Sequence, residues 1–146
     1  MTDCIFCKII SGEIPASKVY EDSQILAFMD AGQVNPGHVL VAVKEHIKNI
    51  YELQSDLAAA VFQAATRIAK AAKVSMQPSG MTLLQANEKA GWQTVEHFHI
   101  HVLPRHFDDG VTFTWPAKHP SKEELDRLAD RVKGELAYQC AIADAR

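Results

Sequence analysis

The sequence predicts an α+β fold: an antiparallel sheet of about five strands, one long helix across it, and a C-terminal helix. Three observations carry that prediction. H-V-L-V-A-V (38–43) is an unbroken, β-branched apolar run of the kind a central strand carries. Residues 55 to 76 repeat apolar side chains at helical spacing. V-E-H-F-H-I-H-V-L (95–103) alternates histidine with apolar residues at the two-residue period of a strand.

The elements follow in order. C-I-F-C-K-I-I (4–10) reads as a short helical turn that S-G-E-I-P ends. V-Y-E (19–21) and Q-I-L-A-F-M-D (24–30) read as two strands around the turn E-D-S. A-G-Q-V-N-P-G (31–37) is a loop leading into the central strand. Ser55 is placed to cap the long helix, whose stripe is Leu57, Val61, Ala64, Ala65, Ile68 and Ala72. Arg67, Lys70 and Lys73 lie largely off that stripe, and Pro78 with Gly80 closes the segment. M-T-L-L-Q-A (81–86) is the next strand, N-E-K-A-G-W-Q-T (87–94) a loop, and His97 to Leu103 the last strand. Residues 104 to 120, with Pro104, Pro116 and Pro120, read as irregular. Ser121 and Glu124 form a capping box that opens a helix to about Tyr138. Its stripe is Leu125, Leu128, Val132 and Leu136, and Cys140 belongs with them. No internal repeat or low-complexity linker interrupts the chain, and 146 residues suit a single domain with a real core.

Composition narrows the function. Hydrophobic residues at 47% and charged residues at 23% are ordinary for a globular protein. A formal charge of -3 gives no general attraction for nucleic acid, so an anionic ligand needs a local site. No apolar run approaches the length of a membrane span. The start, M-T-D-C-I-F-C, lacks the basic and apolar regions of a secretory signal, and the expected location is cytoplasmic. The three cysteines, Cys4, Cys7 and Cys140, argue against a disulfide framework. Cys4 and Cys7 form C-x-x-C, which suits a redox pair, half of a zinc site, or two small apolar residues on a turn.

The histidines carry the chemistry. In an extended strand His97, His99 and His101 share one face, about 7 Å from one to the next, while Phe98, Ile100 and Val102 bury the other. A merely solvated face more often carries Thr, Lys or Glu, so this face is read as a site. His106 and His119, in a polar loop, are read as exposed. Two chemistries fit the triad. H-x-H on a strand can hold a zinc ion with an open position. Alternatively, a neutral imidazole attacks phosphorus and leaves again, splitting one displacement into two easier ones.

H-F-H-I-H-V-L (97–103) resembles the signature of the histidine triad family, three histidines each followed by a hydrophobic residue. G-W-Q-T-V-E (91–96) resembles the segment that precedes it there, and N-P-G-H-V-L-V (35–41) the one that supplies a supporting histidine. C-I-F-C-K-I-I-S-G-E-I-P-A-S-K-V-Y-E-D (4–22) resembles the N-terminus of bacterial members, so the resemblance runs from Cys4 to about Arg105. It implies a two-layer α+β domain that forms a homodimer and binds a purine nucleotide derivative over the triad strand. It implies a nucleotide hydrolase acting at the α-phosphate, with His99 as nucleophile, His101 beside the phosphate and His38 in support. Asn87, Gln93 and Thr94 then match polar positions around the phosphate and leaving group, and Asp30 the carboxylate on the ribose. Ile5, Phe6, Ile9 and Phe28 match an apolar clamp on the base. Zinc-bearing members imply a closed structural site here of Cys4, Cys7, His46 and His97. The implied substrates are nucleoside 5′-phosphoramidates such as adenylyl-amines; dinucleoside polyphosphates, or a regulatory binding role with little turnover, are the alternatives. Trp92 departs from the pattern, where many relatives have Gly or pass directly to Gln, and leaves substrate preference open. Trp115 is placed either to reach a partner's site or to cap the core.

Overall fold

The computed structural model describes residues 3–144 and falls into two compact units, one ending at Val111 and the other beginning at Thr112. The first holds α1 (Ile5–Ile10), β1 (Lys18–Glu21), β2 (Ile25–Met29), β3 (Val39–Val43), α2 (Ser55–Met76), β4 (Gly80–Leu84) and β5 (His99–Arg105). The second holds α3 (Lys122–Asp144). All five strands form one antiparallel sheet in the order β1-β2-β3-β5-β4.

β2 and β3 are apolar throughout because both faces of the sheet are covered there. On one face Ile25, Val41, Val43, Ile100 and Val102 pack with Leu57, Val61, Ala65 and Ile68 of α2. The six buried residues of α2 are the six of the predicted stripe. On the other face Leu26, Phe28, Leu40 and Ala42 pack with Phe6 and Ile9 of α1. Register then fixes where the histidines stand. Leu40 pairs with His101 and Ala42 with His99, whereas Val41 pairs with Ile100. His99 and His101 therefore share the α1 face, and Phe98, Ile100 and Val102 are buried with α2.

Several boundaries differ from the sequence reading. Ser55 is the first helical residue rather than the cap; Gln54 is at that position and makes no side-chain cap bond. The triad strand starts at His99, because His97 N–H turns back to the carbonyl of Val95. It also runs on through Pro104 to Arg105. Pro104 is tolerated because β3 has ended at that level, so no ladder partner on that side needs its missing N–H. β4 stops at Leu84, where Gln85 turns its amide onto the carbonyl of Ala86 and the side chain of Asn87. α3 runs to Asp144 rather than Tyr138, since no Gly or Pro follows to stop it. Half of the expected capping box forms: Ser121 Oγ accepts from the Glu124 N–H at 3.2 Å, while the Glu124 carboxylate pairs with Arg127. The stripe residues Leu125, Leu128, Val132 and Leu136, and Trp115, are exposed.

The loop before β3 sets the entry of His38. Gly37 has φ +90°, and a Cβ there would lie 2.7 Å from Met76 Cγ and 3.4 Å from Pro104 Cγ. Gly37→Ala combines left-handed strain with that clash and is expected to destabilise the protein by about 2 kcal/mol. Chemical denaturation measures it; an unchanged midpoint would show that the end of α2 gives way freely.

Candidate active site and metal centre

Each histidine of the triad has a different setting. His99 is 5% exposed, and its Nδ1–H donates to the carbonyl of His97 at 2.7 Å. That bond fixes the tautomer and leaves Nε2 as the basic nitrogen. His101 stands next along the strand, its ring centroid 4.9 Å from that of His99, closer than the bare strand spacing. Its Nδ1 lies 2.9 Å from Nε2 of His38. Asp30 Oδ2 is 3.6 Å from the same His38 nitrogen. Burial holds all three imidazoles below the usual histidine range, and His101, with His99 and His38 adding to the burial, is lowered to about 4. All three are therefore neutral at pH 7.

His99 and His101 line a cavity of about 730 Å³. Ile5, Phe6, Ile9, Phe28, Asp30 and Thr94 line it as well. Phe6 stands edge-on to Phe28 with centroids 5.4 Å apart and edge-on to His99 at 5.0 Å. An apolar wall thus faces a carboxylate and two imidazoles, with a volume suited to a small organic ligand. Asn87 and Gln93 do not line this cavity. Asn87 Oδ1 accepts from the Ile50 N–H at 2.8 Å, and its amide is shared with Gln85. Gln93 accepts from the Glu88 N–H and donates to the carbonyls of Lys48 and Val95. Both fasten the 87–94 loop to the chain around residue 50. Trp92, in that loop, has φ 71° and is exposed outside the cavity. His106 and His119 are exposed.

His97, also beside Phe6, is directed at the N-terminal cysteines rather than at the cavity. Its Nε2–H donates to the carbonyl of Val43 at 2.7 Å, which points Nδ1 at the two thiols. Cys4 Sγ is 3.4 Å and Cys7 Sγ 3.6 Å from that nitrogen, and Cys7 Sγ is 3.3 Å from His46 Nδ1. A tetrahedral ion with sulfur at about 2.3 Å and nitrogen at about 2.0 Å puts such neighbours about 3.5 Å apart. All four donor atoms lie within 4.8 Å of one another, so the set is compatible with zinc. The Val43 carbonyl is the outer partner that a ligating histidine commonly has. Burial pushes the Cys4 thiol up.

Several supporting residues escaped the sequence reading. Gln33 Oε1 accepts from the N–H groups of Gly37 and His38, and its Nε2 donates to the carbonyls of Asp30 and His38. One side chain thus ties Asp30 to His38. Asp109 accepts from Arg105 Nε at 2.6 Å, from Asn35 Nδ2, and from the N–H groups of His106 and Val111. It locks the chain where β5 ends. Nothing in the spacing of a glutamine in a loop announces such a role; only the i, i+4 step from Arg105 to Asp109 offered a signal.

A sheet whose one face carries neutral, buried histidines beneath an apolar cavity, with a Cys₂His₂ set at its edge, defines a two-layer α+β protein built around a histidine cluster. The HIT domain family matches residues 11–108. A Bacillus subtilis relative named Protein hit is 44% identical over 139 residues, covering 92% of this chain and 95% of its own. The adenosine 5′-monophosphoramidase hnt1 of Schizosaccharomyces pombe is 33% identical, covering 91% of this chain and 98% of its own. The crystal structure of a zinc-bound histidine triad family protein from Mycobacterium smegmatis superposes with a TM-score of 0.72 at 33% identity, covering 94% and 97%. The chain belongs to the histidine triad family.

Proposed function

We propose that the protein is a nucleotide hydrolase that cleaves nucleoside 5′-phosphoramidates through a covalent nucleotidyl-His99 intermediate. The observation that carries this reading is the tautomer of His99: with Nδ1–H committed to the His97 carbonyl, a basic Nε2 is left on a residue of the cavity wall. The naming of the fission-yeast relative as an adenosine 5′-monophosphoramidase favours this substrate class over dinucleoside polyphosphates. The base lies against Phe6, Phe28, Ile5 and Ile9, and the ribose hydroxyls donate to Asp30. Nε2 attacks the α-phosphorus, the phosphorus–nitrogen bond breaks, and the amine leaves with a proton taken from solvent water, leaving a cationic nucleotidyl-imidazole. Water then attacks phosphorus and gives its proton back to solvent, and the bond to Nε2 breaks to release the mononucleotide and neutral His99. His101, with His38 behind it, and backbone amides near Thr94 stabilise the phosphoryl oxygens. Asn87 and Gln93 act by holding the loop that carries Thr94. Cys4, Cys7, His46 and His97 hold a structural zinc ion.

The test is the intact-protein mass after rapid quenching with adenosine 5′-phosphoramidate, with AMP release read in the same samples. One added adenylyl group on the wild type, absent from His99→Ala, supports the reading. AMP release without dependence on His99 removes the intermediate, and neither adduct nor AMP removes the activity on adenylates.

The same reading includes a homodimer. β4 is an edge strand, and Leu83 on it and Val74 on α2 are exposed beside each other on one groove. Sedimentation is expected to give about twice the chain mass of 16.2 kDa; a monomer at micromolar concentration would exclude it.

A further inference from the structure

Among the described residues, one other group of donors converges outside the Cys₂His₂ set. Asp30 Oδ2, His38 Nε2 and His101 Nδ1 all lie within 4.8 Å of one another. We infer that Asp30, His38 and His101 form a second site for a divalent transition metal, filled in competition with nucleotide; the competition, though not the metal binding, rests on the proposed function.

The geometry is nearly made. An ion holding nitrogen and oxygen donors at about 2.0–2.2 Å puts neighbouring donors about 3.3 Å apart in a tetrahedron and about 2.9 Å apart in an octahedron. The two imidazole nitrogens are 2.9 Å apart, and the carboxylate oxygen is 3.6 Å from His38. Small rotations of the side chains bring an ion within reach of all three. The carboxylate is already oriented, since its other oxygen, Oδ1, accepts from the Gly32 N–H at 2.8 Å. His38 is fixed from behind by the backbone bonds that Gln33 makes. For both nitrogens to ligate, the proton they share moves to the outer nitrogen of one ring, so each imidazole stays neutral. Two imidazoles and one carboxylate select a first-row ion such as Co²⁺, Ni²⁺ or Zn²⁺ over Mg²⁺ or Ca²⁺.

Two of the three ligands line the nucleotide cavity. An ion there takes the carboxylate that the ribose uses and the imidazole that faces the phosphate. Its effect is reversible inhibition, relieved by a chelator at once, unlike loss of the ion from the Cys₂His₂ set.

Full-length protein holding one equivalent of zinc, titrated with Co²⁺, tests this by calorimetry and visible absorption. One further equivalent is expected to bind, with a spectrum free of the sulfur-to-cobalt charge transfer that the thiolates would give. Asp30→Asn and His38→Gln should each weaken that step at least tenfold, with thermal melts confirming that both variants fold; His101→Gln serves if either does not. AMP should displace the cobalt. No second equivalent at millimolar Co²⁺, or one that the variants leave unchanged, overturns the site. Binding that AMP does not affect overturns the competition. Turnover of adenosine 5′-phosphoramidate without added metal, read separately, tests the hydrolase reading, so the two can fail independently.

Discussion

His99→Ala is expected to remove turnover, by about 10⁴-fold or more, while the protein stays folded. The size follows from the role: a nucleophile that forms the covalent intermediate has no substitute among its neighbours. His101 is the nearest imidazole, but its Nδ1 is engaged with His38, and its ring is tilted 62° from that of His99. The effect on stability is much smaller. His99 makes one hydrogen bond, to the His97 carbonyl, and edge contacts with Phe6 and His101. Losing them costs about 1–2 kcal/mol, because the carbonyl is left unpaired and a small void opens under Phe6. The informative comparison is therefore kcat against melting temperature in one variant. A loss of only tenfold would mean that His99 assists a water rather than forming a bond to phosphorus. His101→Ala adds a contrast, since a residue that stabilises charge leaves residual turnover, expected at about 10²–10³ below wild type.

How far the sequence reached depended on whether a feature was local. Strand and helix periods are local, and they placed the sheet, the α2 stripe and the division of β5 between histidine and apolar faces. The antiparallel pairing of β3 with β5 then put His99 and His101 on the same face as Leu40 and Ala42, as the alternation implied. The convergence of Cys4, Cys7, His46 and His97 joins residues 93 apart in the chain, and no periodicity contains it. It was legible only through resemblance to relatives with the same spacing. Gln33 and Asp109 were missed for a different reason. Each acts by satisfying backbone groups of a turn, and a polar residue in a polar loop gives no sign of which carbonyl it will meet. Pro104 misled because proline ordinarily ends a strand; its tolerance depends on β3 having already stopped, a fact of pairing and not of local sequence.

Stripping the metal, or replacing Cys7 by Ser, is expected to lower the melting temperature by about 10 °C or more. The argument begins with α1. A six-residue helix has no stability of its own, and its N-cap, Cys4, makes no side-chain cap bond. Two things hold it: the burial of Phe6 and Ile9 against the sheet, and the approach of Cys4 and Cys7 to His46 and His97. Zinc in that set would join α1 to the chain just after β3 and to the residue two before His99. Without it the two thiols and two imidazoles are held together only by weak sulfur contacts of 3.3 to 3.6 Å. Phe6 would then cover His99 loosely, so KM for the nucleotide should rise more than kcat falls. That split separates a structural ion from a catalytic one, whose removal would abolish kcat outright. Elemental analysis of the purified protein should find one zinc per chain, lost in Cys7→Ser. If the protein carries no zinc and Cys7→Ser melts with the wild type, burial of Phe6 and Ile9 alone holds α1, and the Cys₂His₂ set has no structural role.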